Sequence, residues 1–214
     1  MGLTRERLHA DLAVLAAREP RMADAIGRAG LPEARISAPG AATLLRTIVG
    51  QQVSVASAAA MWRKLGDIVG PDCDLHRLLA ATDEELRAGG LSRQKAAYAR
   101  SLAALVLSGV LDLARLPTDD EEAIAGLTRV KGIGRWSAEI YLLFAEGRGD
   151  IWPAGDLAVQ IEVGKIMGHD ERPSEKATRE IAEAWRPHRG AAAVFAWHHY
   201  GWRKAADTGG KAPL

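Results

Sequence analysis

Apolar residues recur along most of the chain at intervals of three and four positions, and alternation of apolar and polar residues over the length of a strand is hard to find. This spacing is typical of amphipathic α-helices, so the sequence predicts an all-α protein. A first helix should begin after Thr4 and carry Leu8, Leu12 and Leu15, and a second should end at Gly30. The pattern leaves no room for a parallel-sheet nucleotide-binding fold.

Polar residues ahead of two later segments predict where helices begin. Thr82 with Glu85, and Thr118 with Glu121, have the spacing of capping boxes. The acidic run at residues 119–122 is expected in the first turn of a helix, where negative charge is stabilised by the helix dipole. We therefore do not read these carboxylates as a metal site.

Composition limits the classes of protein that the chain can belong to. The 28 Lys and Arg residues against 27 Asp and Glu give a net charge of +1, so any signal for a nucleic-acid partner must be local. The single cysteine, Cys73, cannot form an intramolecular disulfide or hold a four-cysteine iron–sulfur cluster, and we expect a cytoplasmic location. No segment approaches the ~18 apolar residues of a membrane span, so no membrane partner is expected.

A Gly-Ile-Gly turn separates two amphipathic stretches within residues 127–139. Gly132 and Gly134 allow positive φ and a close approach of the backbone to another surface, and Ile133 can fill the gap between the helices. The amides at the start of the second helix can then bind a phosphate oxygen without reading any base.

Basic residues surround this turn. Arg129, Lys131 and Arg135 lie within it, and no acidic residue occurs between Leu127 and Ala138. The segment is therefore the local basic patch that the net charge conceals, and a plain helix–turn–helix corner is its alternative interpretation.

Four stretches, in order along residues 40–202, resemble the helix-hairpin-helix (HhH-GPD) DNA glycosylase superfamily, and in particular its alkyladenine branch, the DNA-3-methyladenine glycosylase II enzymes. They are Ile-Val-Gly-Gln-Gln-Val-Ser from residue 48, Gly-Ile-Gly-Arg-Trp-Ser-Ala from residue 132, Trp-Pro-Ala-Gly-Asp-Leu-Ala from residue 152, and the stretch from Trp-Arg-Pro-His-Arg at 185 through Trp197 to Trp202. The resemblance implies a DNA glycosylase of base excision repair.

Two helical subdomains are expected, with the active site in a cleft between them. The first covers residues 40–148 and ends in the hairpin, the second combines residues 1–39 with 149–205, and residues 206–214 form a flexible tail. The length of 214 residues suggests a compact form without the N-terminal β domain of the larger alkyladenine enzymes.

Asp156 has two compatible interpretations. Its sequence context, Asp before Leu-Ala-Val-Gln, is a good helix N-cap. Cleavage of an N-glycosidic bond also develops positive charge on the sugar, and a fixed carboxylate beside C1′ would stabilise that transition state. The resemblance implies that Asp156 is the catalytic aspartate.

The resemblance also assigns the residues that would hold an extruded base. It places Trp136 and Trp197 in the base pocket, and it places Gln52 at the wedge that fills the hole in the DNA stack, with the adjacent Gln51 as the alternative. The chain departs from the family at Ile140, where relatives often have a second pocket aromatic.

The resemblance extends to reaction type and to an ion. Trp136 stands where the lyases of the superfamily have a nucleophilic lysine, so a monofunctional hydrolase is expected. The backbone carbonyls of Thr128, Val130 and Ile133 are implied to hold Na⁺ or K⁺, and no organic cofactor is expected.

The sequence therefore predicts a monomeric DNA glycosylase that flips and hydrolyses alkylated purines of the 3-methyladenine and 7-methylguanine type. In this prediction Lys131, Gly132, Ile133, Gly134 and Arg135 contact the DNA. Two alternatives stay open: a helix-hairpin-helix module that binds DNA without catalysis, and a glycosylase for deaminated or oxidised purines.

Overall fold

The structure, a computed structural model, describes residues 3–70 and 72–207, and within them it confirms the all-α fold. One π-helical segment, Leu142–Glu146, and one 3-10 turn, Glu183–Trp185, accompany the α-helices. In chain order these are α1 Arg5–Arg18, α2 Pro20–Ala29, α3 Ala41–Gly50, α4 Val55–Val69, α5 Leu75–Ala80, α6 Asp83–Ala88, α7 Arg93–Leu107, α8 Asp120–Thr128, α9 Arg135–Tyr141, α10 Leu157–Met167, α11 Glu175–Ala182 and α12 Arg189–Asp207. None of the described helices is both long enough and apolar enough to cross a bilayer.

Side-chain caps fix most of the helix starts that the sequence predicts. The hydroxyls of Thr4 and Thr82 cap α1 and α6, and Thr82 forms the complete capping box. The box expected at Thr118 is wrong, because Asp119 is the N-cap of α8 and its carboxylate accepts the amide of Glu122 at 2.9 Å. A carboxylate satisfies the amide as the hydroxyl would, and it also interacts with the positive end of the helix.

The chain divides into two compact units. The central unit is Ser37–Tyr141, and the two-segment unit combines Met1–Ile36 with Leu142–Leu214. The sequence placed these boundaries at residues 40 and 148. Helix α12 continues to Asp207, so the tail predicted at 206–214 is helical in its first two residues, and its remainder, 208–214, lies outside the described residues.

In the two-segment unit, α1, α2, α10 and α12 pack against one another. Their shared core includes Leu8, Leu12, Leu15 and Phe195, each 0% exposed. Together these contacts bury about one face of each helix, which is the stripe that the three-and-four spacing of apolar residues predicts.

A buried ion-pair network also connects α10 with α12. The carboxylate of Glu162 is fully buried and accepts hydrogen bonds from Nδ1 of His199 at 2.6 Å and from Nη2 of Arg203 at 2.8 Å. Burial raises the pKa of Glu162, but the bonds from His199 and Arg203 outweigh it and hold the pKa below its usual range.

In the central unit, α3 packs against α4, α7 and α9. Leu44, Leu45 and Ile48 of α3 are fully buried, as are Leu65 of α4 and Leu102 of α7. Helix α3 is therefore the centre of this core, and the segment that follows it, with Gln51 and Gln52, starts from a fixed point.

Candidate active site

Asp156 is the N-cap of α10 in the two-segment unit. Its Oδ1 accepts the amide of Val159 at 3.0 Å, so the carboxylate is bound to the first turn of its own helix. The structure confirms the helix cap that the sequence predicts at this residue, and the catalytic role of Asp156 stays a prediction.

The loop before Asp156 is anchored on both sides. The indole Nε1 of Trp152 donates to the carbonyl of Thr178 at 3.1 Å, and its ring packs edge-on against Trp185 with centroids 5.5 Å apart. The amide of Asp156 donates to the carbonyl of Pro153 at 2.9 Å and closes a turn. Trp152 is thus a buried structural anchor, and the anchored loop fixes the entry of the chain into α10.

An aromatic cavity of about 230 Å³ lies in the same unit. Trp197 of α12 and Phe144 line it, with ring centroids 5.8 Å apart and planes inclined by 37°. Its volume is below the ~300–1,000 Å³ that encloses drug-sized ligands, as suits a single ring system.

Phe144 is a pocket residue that the sequence analysis missed. It lies in the π-helical segment Leu142–Glu146, four residues after Ile140, where the expected second aromatic is lacking. The π-helical turn widens the helix and changes which side chains share a face, and such turns occur frequently at functional sites. A regular helical projection from Trp136 could not have selected Phe144.

Two histidines fix the chain segment that borders this cavity. Nε2 of His9 donates to the carbonyl of Pro32 at 2.9 Å, and Nε2 of His198 donates to that of Ala29 at 2.8 Å. Because a carbonyl only accepts, each ring carries its proton on Nε2. The segment also places Glu33 and Arg35 at the cavity.

The hairpin lies in the central unit, and Gly132 is its tightest point. Gly132 has a φ of +84°, and a Cβ added there would lie 2.1 Å from Cδ2 of Tyr98. Ile133 is 3% exposed and fills the space between the helices, as the sequence predicts. Gly134 does not take a positive φ, so only one of the two glycines uses the conformational freedom expected of both.

Backbone amides of the turn are placed for an anion. The first hydrogen bond of α9 runs from the amide of Ala138 to the carbonyl of Gly134, and the amides of 135–137 precede it. Among the described residues, the amides of Gly132 and Gly134 have no acceptor, whereas that of Lys131 donates to Oγ of Ser101 at 3.1 Å. This arrangement fits a phosphate oxygen.

The basic side chains at the turn differ in their surroundings. Arg135 donates to both carboxylate oxygens of Glu121, at 2.5 and 2.8 Å, and to buried Glu139 at 2.9 Å. The bonds to Glu121, with the charge of Glu139, raise the pKa of Arg135 above its usual range. Arg135 therefore holds α9 against α8, and its contact with DNA stays a prediction. The side chains of Arg129 and Lys131 are exposed.

The structure separates the roles of the two adjacent glutamines. Nε2 of Gln51 donates to the carbonyl of Gly132 at 2.7 Å, so Gln51 joins the segment after α3 to the hairpin. Gln52 has a φ of +55°, a left-handed conformation that is costly for a side chain of this kind. Gln52 is exposed, and the wedge role that the resemblance indicates for it stays a prediction.

Lys95 supports the same segment from α7. Its Nζ donates to the carbonyl of Val49 at 2.6 Å, near the end of α3, and burial lowers the pKa of this lysine. Nothing in the local sequence links Lys95 with Val49, which is 46 residues away. Local sequence patterns therefore could not indicate this contact.

Trp136 is 46% exposed at the start of α9, and its place in a base pocket stays a prediction.

For the predicted cation, the carbonyl of Val130 accepts the amide of Ile133 at 3.0 Å. A carbonyl oxygen has a second lone pair, so this bond leaves the Val130 carbonyl able to accept a further contact, and the cation at Thr128, Val130 and Ile133 stays a prediction. Within the described residues, no three His, Cys, Asp or Glu side chains are grouped to hold a metal ion.

Comparison with known proteins gives a consistent result. Residues 45–187 match the model of the HhH-GPD superfamily base excision DNA repair proteins. DNA-3-methyladenine glycosylase 2 of Escherichia coli is 29% identical over 193 residues, which cover 84% of this chain. The chain spans about half to two thirds of the length of the curated bacterial relatives it matches, 66% of the E. coli protein and 56% of one from Bacillus subtilis.

Solved structures extend the similarity over nearly the whole chain. A DNA-3-methyladenine glycosidase from Bacillus halodurans has a TM-score of 0.81 at 30% identity, with 89% of each chain covered. The Schizosaccharomyces pombe 3-methyladenine DNA glycosylase Mag1, in complex with abasic DNA, has a TM-score of 0.73 at 25% identity, with 92% of this chain and 97% of that chain covered.

Proposed function

Because this chain belongs to the HhH-GPD superfamily of base excision DNA repair proteins, we propose that it is a monofunctional DNA glycosylase. Its substrates are alkylated purines of the 3-methyladenine and 7-methylguanine type in duplex DNA. The observation that carries the proposal is that one unit contains both Asp156, capping α10, and an aromatic cavity lined by Trp197 and Phe144. The names of the similar proteins from E. coli and B. halodurans support this substrate class.

The chemistry requires one anion and no protein acid. An alkylated purine carries a positive charge, so when its bond to C1′ breaks, the base takes the bonding electrons and leaves neutral. The sugar is then positively charged, and the carboxylate of Asp156 stabilises it in the transition state more than in the ground state. Water adds to C1′ and loses a proton to solvent, which leaves an abasic site.

The base must leave the duplex before this reaction, because C1′ of a stacked nucleotide is not accessible to a side chain. We assign Gln52 to fill the space that the extruded base leaves in the DNA stack. The amides of Gly132 and Gly134 and the side chain of Lys131 bind the DNA phosphates. A monovalent cation at the carbonyls of Thr128, Val130 and Ile133 would add positive charge there. The complex of Mag1 with abasic DNA supports DNA as the partner.

Aromatic rings suit a cationic base. The face of an indole attracts a cation by about 0.5–2 kcal/mol, more than it attracts the neutral base. We assign Trp197 and Trp136 to this stacking, as the sequence predicts. We add Phe144, because this chain has Ile140 where relatives often have a second aromatic residue. Cleavage of the DNA strand is not expected, since Trp136 stands where lyases of the superfamily have lysine.

Release of 3-methyladenine and 7-methylguanine from methylated duplex DNA tests the proposal. We expect Asp156→Asn to lower the single-turnover rate constant by about 10²-fold or more, in the range found when one electrostatic stabiliser is removed. DNA binding should be retained, because the hairpin is unchanged. Full activity of Asp156→Asn would show that this mechanism is wrong.

The same assay decides between the proposal and its alternatives. A non-catalytic DNA-binding protein would bind the duplex but release no base. A glycosylase for deaminated or oxidised purines would release hypoxanthine or 8-oxoguanine in preference to 3-methyladenine from a panel of lesion duplexes. The monomeric state and cytoplasmic location are further predictions from the sequence.

A further inference from the structure

The position of Asp156 depends on a hydrogen bond one helical turn later. Gln160 lies on α10 and is 6% exposed. Its Nε2 donates to the carbonyl of Ala154 at 2.7 Å, and Ala154 belongs to the loop that leads into Asp156. Ala154 is fully buried, so its carbonyl is shielded from water. The Gln160 side chain supplies the hydrogen bond that water would otherwise make to this carbonyl.

Arg172 fixes the orientation of the Gln160 amide. Nη1 of Arg172 donates to Oε1 of Gln160 at 2.7 Å. If the amide were reversed, an N–H would face the guanidinium and an oxygen would face the carbonyl of Ala154, so only one orientation satisfies both neighbours. Ala154, Gln160 and Arg172 thus form a chain of hydrogen bonds with a fixed direction.

This chain of bonds closes the loop onto the helix that carries the carboxylate. Oδ1 of Asp156 is bound to the amide of Val159, on the first turn of α10, and Gln160 is the next residue. The loop on the other side of Asp156 is bound to that same turn through Gln160. Gln160 therefore adds a direct bond between loop and helix to the anchor that Trp152 provides further from Asp156.

We propose that Gln160, oriented by Arg172, is a positioning residue that holds the carboxylate of Asp156 in place for stabilising the sugar cation. This inference rests on the proposed function. A fixed anion stabilises a transition state only from the correct position, and a displacement of ~1 Å at a reacting centre can cost about 10²-fold in rate.

Two variants of Gln160 and one of Arg172 test the proposal. Gln160→Leu keeps the side-chain size and removes both hydrogen bonds. Gln160→Glu keeps an acceptor for Arg172 but turns an oxygen toward the carbonyl of Ala154. We expect each to lower the single-turnover rate constant of base release by about 10–100-fold. The dissociation constant for duplex DNA should stay within about twofold, because the hairpin is not touched. Lys165→Ala, at an exposed position of α10, is the matched control and should leave both values unchanged.

A double variant separates positioning from a general structural role. If Gln160 acts through the carboxylate, adding Gln160→Leu to Asp156→Asn should not lower the residual rate any further. A structural role would lower it by the same factor as in the wild-type background, and that result would overturn the proposal.

The remaining outcomes are also decisive. Should Gln160→Leu fail to fold, as judged by thermal unfolding, Arg172→Met at an exposed residue takes its place. It is expected to lower the rate constant about 3–10-fold without changing DNA affinity, and an unchanged rate would refute the inference. An inactive Asp156→Asn beside a fully active Gln160→Leu would overturn the role of Gln160 alone, whereas an active Asp156→Asn would overturn the proposed function.

Discussion

Substitution of Gly132 by alanine places a methyl group inside the ring of Tyr98. The added Cβ would lie 2.1 Å from Cδ2, 2.5 Å from Cε2 and 2.6 Å from Cγ, all shorter than any ordinary contact. The φ of +84° is in addition unfavourable for alanine. Gly134 offers a matched control in the same turn, because a Cβ there would meet no atom within 4 Å and its φ is not left-handed.

The cost of Gly132→Ala has two parts. A left-handed backbone costs an L-residue about 1–2 kcal/mol, and a methylene group forced into a packed site costs about 1–3 kcal/mol. Alanine restricts the unfolded chain and returns about 0.4–1 kcal/mol. We therefore expect the free energy of unfolding to fall by about 2–4 kcal/mol, against about 0.5 kcal/mol or less for Gly134→Ala.

Urea denaturation of the two variants measures this difference directly. A double variant, Gly132→Ala with Tyr98→Ala, should recover the packing part of the loss, so that alanine at residue 132 costs only about 1 kcal/mol when the ring is absent. Equal unfolding midpoints for Gly132→Ala and Gly134→Ala would refute the reasoning, and so would a loss at residue 132 that persists undiminished without the ring.

Three further predictions concern residues elsewhere in the two units. Gln52→Gly should relieve the left-handed strain and raise the unfolding free energy by about 0.5–1 kcal/mol while lowering base release, and a variant that loses stability would contradict the assigned strain. Arg135→Ala should lower the unfolding free energy by about 1–2 kcal/mol. Arg129→Ala should instead weaken DNA binding in low salt and leave the urea midpoint unchanged. A reversal of these two effects would contradict the assignment of Arg135 to packing. For Glu162, whose folded pKa lies below the unfolded value of about 4.3, the stabilisation is present above that value and lost as the pH falls through the folded pKa. Glu162→Gln should therefore be less stable than the wild type between pH 5 and 7 by about 1–3 kcal/mol. This difference in stability should shrink below about pH 4. A difference that does not depend on pH in urea titrations would argue against the ion pair.

Local patterns in the sequence were sufficient for the helices and for several candidate residues. The spacing of Leu8, Leu12 and Leu15 and the cap at Thr4 predicted α1, because each depends on neighbours within one or two turns. The same is true of Asp156 as a cap. The error at Thr118 was of one residue, since two adjacent residues could each serve as the N-cap.

Long-range partners could not be predicted in this way. The sequence predicts Arg135 as a basic residue of the hairpin because no acid lies between Leu127 and Ala138, yet Glu139 one turn later and Glu121, 14 residues earlier on α8, both accept its hydrogen bonds. The bond from Gln51 to Gly132 spans 81 residues. Phe144 was missed for a different reason, because the π-helical segment breaks the period on which helical projection relies.

The pairing of Arg135 with acids has a consequence for how the protein would move on undamaged DNA. With Arg135 neutralised, the hairpin offers two exposed cations, Arg129 and Lys131, beside uncharged amides. Each neutralised phosphate releases about 0.9 counterion, so the hairpin alone contributes a slope of only about −2 to the dependence of log affinity on log salt. Under the proposed function, such a contact would weaken by only about 10-fold when the salt concentration rises fourfold, and two cations alone would hold undamaged DNA briefly, so the protein would pass quickly over sites that contain no lesion.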